Sequence, residues 1–134
     1  MEKDYFASSL TEGEVRAMGS LALAHVGDAV FELMVRVYLA AGGGKNGSLH
    51  RAAVGMVNAA AQAGDMEKLL PFLTEEEAEV FRRGRNVKVH SVPKHARPGD
   101  YHAATGMEAL FGYLYLLGRR ERISALFARI VEES

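Results

Sequence analysis

Apolar positions in this chain return at three- and four-residue steps, the period of an amphipathic helix, and show no convincing strand alternation. Thr11 and Glu14 in "TEGE" have capping-box spacing, with Thr at the cap and Glu three residues later. Ser20 is the expected N-cap of a long helix running to about residue 41, with Leu23, Val26, Val30, Met34 and Val37 along one side. "GGGKNGS" (42–48) ends that helix and offers Ser48 as the next N-cap. An alanine-rich helix over 49–63 follows, suited to close packing, until Gly64 and Asp65 break it and a short helix leads to Pro71. Thr74 and Glu77 in "TEEE" form a second capping box, whose acids suit the positive end of a helix dipole. That helix passes through Val80 and Phe81 into "RRGRN". Pro93, Pro98 and Gly99 mark a loop to about residue 99, and helices over 100–117 and 121–132 close the chain. There is no internal repeat. The pattern predicts an all-α bundle of six or seven helices.

Length limits this picture to one domain over 1–134, with the order of residues 1–10 left open. A chain of this size buries roughly two-thirds of its unfolded surface, so a core needs no cross-links. With 49% apolar residues, 25% charged and three prolines, the composition is globular. The absence of cysteine excludes a disulfide framework, a thiolate zinc site and a thiol nucleophile, and fits a reducing cytoplasm. "MEKDYFASSL" lacks a basic region followed by a long apolar run, so it is no secretory signal. His25, Asp28, Glu32 and Arg36 interrupt the most apolar segment, which argues against a membrane span. The expectation is a cytoplasmic protein with no membrane partner.

Two carboxylates stand out against this background. "LAHVGDAVFELM" places Gly27 and Asp28 side by side in an otherwise apolar helix. Glycine there costs roughly 1 kcal/mol relative to alanine, and a buried unpaired carboxylate costs far more. A plain reading sets Asp28 at a polar edge near Leu21, Ala24, His25 and Glu32, with Glu32 pairing Arg36 one turn on. Gly27 resists that reading, because a glycine inside a helix commonly marks close backbone approach. Glu108 in "TGMEALFGYLYLLG" is the second such acid, flanked by Gly106 and Gly112. Helices meeting at these glycines would bring Asp28 and Glu108 together, and a shared Mg²⁺ would neutralise both.

Net charge, −1, says little, but its distribution says more. "RRGRNVKVHSVPKHARPGDYH" (82–102) holds six Lys and Arg residues and three histidines against one acid, Asp100. A local positive excess in a shaped loop is a phosphate-binding signal, whereas a solvated face is usually mixed in sign. His25 reads as a packed or edge histidine, and no His pair has zinc spacing. "GGGKNGS" follows a helix instead of a strand and lacks the Gly-Lys-Ser/Thr ending, so it is no phosphate-cradling loop.

Together, "LALAHVGDAVFE", "SLHRAAVGMVNAAAQA", "FRRGRN" and "MEALFGYLYL" stand in the order and spacing of a ribonuclease III catalytic domain. The chain most closely resembles the short bacterial branch of that family, mini-ribonuclease III, from about residue 21 to 132. The resemblance implies an all-α, homodimeric endonuclease that cleaves double-stranded RNA with Mg²⁺, two protomers supplying one site per strand and leaving a short 3′ overhang. It implies that Asp28 and Glu108 are catalytic and hold the metal. The expected RNA-binding set is Arg82, Arg83, Arg85, Asn86, Lys88, Lys94 and Arg97. The branch lacks the double-stranded-RNA-binding domain of larger members, and this sequence leaves no length for one after Ser134. It is associated with trimming large-subunit (23S) ribosomal RNA precursors. Ala24 and Thr105 stand where larger members carry two further acids, a thinning this branch shares. The alternative motivated by that thinning is a catalytically silent RNA-binding or ribosome-associated relative.

Overall fold

A computed structural model describes residues 2–43, 46–88 and 91–132. Its helices are α1 (Glu12–Arg16), α2 (Ser20–Ala41), α3 (Asn46–Met56), α4 (Ala59–Leu69), α5 (Glu75–Arg85), α6 (Pro98–Leu116) and α7 (Arg120–Glu132), with a 3₁₀ turn at Leu70–Phe72. No strand occurs among the described residues. None of the helices searched there is long and apolar enough to cross a membrane.

Helix α6 is the centre of the fold. Pro98 occupies its first turn, where a missing N–H costs nothing, and Gly118 at φ +75° turns the chain just past its end. Every residue from 104 to 114 is buried except Glu108. A helix apolar all round must be enclosed, and α2, α4, α5 and α7 all pack on it. Phe31 of α2 meets Phe111 of α6 edge to face at 5.6 Å and Phe127 of α7 at 6.0 Å.

Glycine sets how closely two of these helices approach. A Cβ on Gly27 would fall 1.6 Å from the Glu108 carbonyl oxygen, and one on Gly112 would fall 1.9 Å from that of Leu23. At this α2–α6 crossing, backbone therefore touches backbone. Helices α5 and α6 cross similarly: a Cβ on Gly84 would meet the Gly106 Cα at 2.9 Å, and one on Gly106 would meet the Phe81 ring at 2.7 Å.

That crossing corrects the face expected for α2. The buried residues are Leu23, Ala24, Gly27, Phe31 and Val35, centred on the glycine that admits α6. Val26, Val30 and Met34 are only partly buried, and Val37 is 59% exposed. Gly27 thus serves packing within the chain.

Both capping boxes form. Thr11 accepts from the Glu14 amide at 3.1 Å and Glu14 accepts from the Thr11 amide at 2.9 Å, and Thr74 and Glu77 repeat the same distances. Ser20 does not cap α2, because Gly19 holds the cap position without a side-chain bond. Ser48 lies inside α3, which begins at Asn46; Gly44 and Lys45 are outside the described residues. The single helix expected over 49–63 is two helices broken at Asn58. Its Oδ1 caps the Ala61 amide at 2.9 Å while its Nδ2 donates to the Val54 and Gly55 carbonyls, so one side chain ends α3 and starts α4. The break expected at Gly64 and Asp65 is absent, and α4 runs through both.

Acids at the start of α5 tie it to α1, α6 and α7. Glu76 accepts from Arg119 at 2.9 Å and from the Tyr113 hydroxyl, with Arg16 at 3.5 Å. The Arg119 guanidinium and the Tyr113 hydroxyl hold Glu76 down to about 2. Burial pushes Glu77 up, but Arg122 at 2.7 Å and the Thr74 backbone outweigh it and leave Glu77 below its ordinary value.

Candidate active site

Asp28 stands one residue past the glycine of the α2–α6 crossing, and Glu108 is the residue whose carbonyl that glycine touches. The crossing therefore brings Glu108 close enough to Asp28 to feel its charge. Asp28 is exposed and Glu108 half-buried beneath it, so the pair opens to solvent on one side. Burial, then the Asp28 charge and the shared hydrogen bond, push Glu108 up to about 8. No Lys or Arg forms an ion pair with either acid among the described residues.

A third group comes from α4. Gln62 is 4% exposed and packed towards Glu108, where its amide pulls the acid back down against burial. Its Nε2 is enclosed and meets no acceptor at full hydrogen-bond geometry. Gln62 is not among the residues the sequence singles out, because an amide within "NAAAQA" does not disturb an alanine-rich helix.

The positions that lack acids are inert. Ala24 is buried one turn before Asp28, and the Thr105 hydroxyl donates to the Tyr101 carbonyl at 3.0 Å. No cluster of three or more His, Cys, Asp or Glu side chains able to hold a metal occurs among the described residues. Two adjacent carboxylates without a basic partner nevertheless fit Mg²⁺, which is commonly bound through one or two carboxylates and keeps several waters. His25 is exposed and Glu32 pairs with Arg36 at 2.9 Å, so the plain reading holds for those neighbours.

The basic end of α5 adjoins this site. Gly84 lies between Arg83 and Arg85 and packs on α6 at Gly106 and Ala109, the latter next to Glu108. Arg82 is held by Glu79 at 2.6 Å, whereas Arg83, Lys88, Lys94 and Arg97 are exposed. Arg85 lies 5.5 Å from the Phe81 ring centroid, with its Nε 3.4 Å from the Asn86 side chain. Asn86 is the C-cap residue of α5. Val89 and His90 in the same stretch are outside the described residues. An apolar groove of about 610 Å³ lies elsewhere, lined by Val26, Val30, Leu33 and Met34 of α2 with Tyr115 and Ile123. Its lining holds no carboxylate.

The chain is similar to known proteins over most of its length. The model of the ribonuclease III domain matches residues 21–119. Mini-ribonuclease 3 of Symbiobacterium thermophilum is 51% identical, over 78% of this chain and 81% of its own length. The Mini-ribonuclease 3 of Clostridium tetani is 36% identical, over 98% of this chain and 88% of its own length. The crystal structure of a Fusobacterium nucleatum protein superposes with a TM-score of 0.83 at 28% identity, covering 92% of this chain and 99% of that one.

Proposed function

Since the chain belongs to the ribonuclease III family, in its short mini-ribonuclease 3 branch, it is an endoribonuclease, and we propose that it cuts double-stranded RNA with Mg²⁺ held by Asp28 and Glu108. The observation that carries this reading is the pair of carboxyls joined across the Gly27–Gly112 crossing, open to solvent and without a basic partner. Relatives named Mini-ribonuclease 3 favour the enzyme over the silent-scaffold alternative.

When bound, Mg²⁺ supplies an acidified water and charge neutralisation at the scissile phosphate. Asp28 is the exposed ligand, within reach of solvent and of a phosphate. Glu108 is the anchored one, held on the enclosed helix α6. Burial and the Asp28 charge favour the protonated form of Glu108, so holding the cation would require that proton to leave.

Arg83, Arg85, Asn86, Lys88, Lys94 and Arg97 are the groups proposed to grip duplex phosphates beside this pair, with Arg82 contributing less because Glu79 already occupies it. Such contacts read the shape and 2′-hydroxyls of A-form RNA, whose base edges lie in a deep groove. The proposed natural substrate is a duplex within a large-subunit ribosomal RNA precursor, on the strength of the branch resemblance.

The open face of α2 supports a homodimer. Leu33 is 56% exposed at the edge of the 610 Å³ apolar groove, and a contiguous apolar face of this kind marks an association surface. Two copies would present two sites to the two RNA strands.

The test is incubation with a long RNA duplex at low salt with Mg²⁺. Wild type cuts and leaves short 3′ overhangs, while Asp28→Asn binds the duplex but cuts at least about 10³-fold more slowly. Normal cutting by Asp28→Asn would overturn the metal site.

A further inference from the structure

We infer that Gln62 is a positioning residue for Glu108, the third member of the site, acting from α4 where a side chain of α2 or α6 is missing. This rests on the reading of Asp28 and Glu108 as the Mg²⁺ pair. Its own support is structural. Gln62 is the one polar side chain on the buried face of α4, with Met66 and Leu69 its buried companions on that helix. It is 4% exposed, yet its Nε2 finds no partner at full hydrogen-bond geometry. A buried amide left short of partners is costly, and apolar residues of similar size are the ordinary occupants of such a place. Helix α4 packs directly on α6, the helix that carries Glu108, and the Gln62 amide acts on that carboxyl.

The other candidates for this role are occupied or absent. Ala24 has no polar group, and the Thr105 hydroxyl is spent on the Tyr101 carbonyl at 3.0 Å. Glu108 is half-buried with no Lys or Arg in an ion pair among the described residues, and the Asp28 carboxyl and the Gln62 amide act on it. An amide donates through nitrogen and accepts through oxygen. Gln62 therefore serves Glu108 whether that carboxyl is protonated or ionised, and fixes its side chain through both states. Outer groups that orient a ligand typically change metal affinity or activity by about 10–100-fold.

The experiment compares wild type with Gln62→Met, which keeps length and bulk but removes the amide, and Gln62→Glu, which keeps an oxygen at the same reach. Two readouts are taken: the Mg²⁺ dependence of the melting temperature of RNA-free protein, and kcat and KM on a duplex. Gln62→Met should fold with a metal-free melting temperature at or above wild type. Its Mg²⁺ midpoint should rise about tenfold and kcat fall about 10–100-fold, with KM for RNA within about twofold. Gln62→Glu should recover the Mg²⁺ midpoint. A Gln62→Met protein with the wild-type Mg²⁺ midpoint and kcat overturns the inference. So does one that melts lower but keeps both values, which would assign Gln62 to packing alone. Should Gln62→Met fail to fold, Gln62→Leu takes its place: a raised Mg²⁺ midpoint in the folded protein supports the inference, and a wild-type midpoint overturns it. Failure of wild type itself to respond to Mg²⁺ or to cut would instead overturn the reading of the carboxylate pair.

Discussion

At the scale of single residues, the site is a balance between two acids in different surroundings. Asp28 is exposed while Glu108 is half-buried, and Glu108 is pushed up to about 8. Between its ordinary value of 4.5 and about 8, folded Glu108 holds a proton that the unfolded chain has released. Metal-free stability therefore falls as pH rises through that window. Glu108→Gln should remove this decline and melt higher than wild type at pH 8, by about 3–5 °C for each kcal/mol relieved, as read by thermal denaturation in EDTA. Mg²⁺ competes with the same proton. At limiting Mg²⁺, the apparent affinity for the metal should climb about tenfold per pH unit and level off near 8, measured as the midpoint of Mg²⁺-dependent cleavage. A profile flat between pH 6 and 8 would detach Glu108 from the metal. Glu108 and Asp28 are both legible as odd acids in apolar helices, because a charge among Leu, Val, Ala and Met breaks the pattern. Gln62 is not legible in the same way: an amide does not break an alanine-rich helix, and only the packing of α4 on α6 reveals its target.

At the scale of helices, spacing between backbones matters more than propensity. Gly27 and Gly112 let α2 and α6 touch, and Glu108 meets Asp28 because of that contact. Gly27→Ala would press a methyl into the Glu108 carbonyl, since 1.6 Å is far inside van der Waals contact with an atom that cannot swing away. We expect a loss of about 3 kcal/mol or more, seen as a shifted denaturant midpoint, together with loss of cutting as the two acids separate. Gly19→Ala, where a Cβ meets nothing within 4 Å, should leave cutting unchanged and serves as the control. The sequence marks Gly27 as a close-approach position. It misleads on which face of α2 is buried, because Val26, Val30, Met34 and Val37 form an equally regular apolar stripe. The choice between two apolar stripes is made by the partner helix, and α6 fits only the one carrying glycine. Asn58 misleads in the opposite direction: a capping side chain inside "VGMVNAAAQA" ends one helix and begins the next, where alanine content alone reads as continuous.

At the scale of the whole molecule, the predictions concern surfaces. Leu33→Glu should convert the proposed dimer to a monomer in light scattering, since it puts a charge into the apolar groove beside Val30 and Met34. A dimer unchanged by Leu33→Glu would place association elsewhere. On the basic side, Arg85→Ala should flatten the slope of log affinity against log salt by about 1, and Arg82→Ala by less, because Glu79 already neutralises Arg82 at 2.6 Å. Equal slopes for the two variants would mean that RNA displaces Glu79. The Glu76 and Glu77 networks with Arg119, Tyr113 and Arg122 are a further outcome of assembly. In sequence, those acids are only the first turn of a capped helix.

The chain by itself determines the all-α class, both capping boxes, the two carboxylates and the basic stretch, since each is written in local chemistry: period, cap spacing, an acid out of pattern, a run of one charge. Tertiary structure decides what no local pattern encodes. It selects the face of α2 that is buried, brings Asp28 to Glu108, eighty positions further along the chain, and turns Gln62 inward while leaving Thr105 bonded to its own backbone. The reason is physical. Local chemistry fixes what a helix can offer, but contact between helices is fixed by which surfaces approach closest, and here that is set by a pair of glycines, one on each helix.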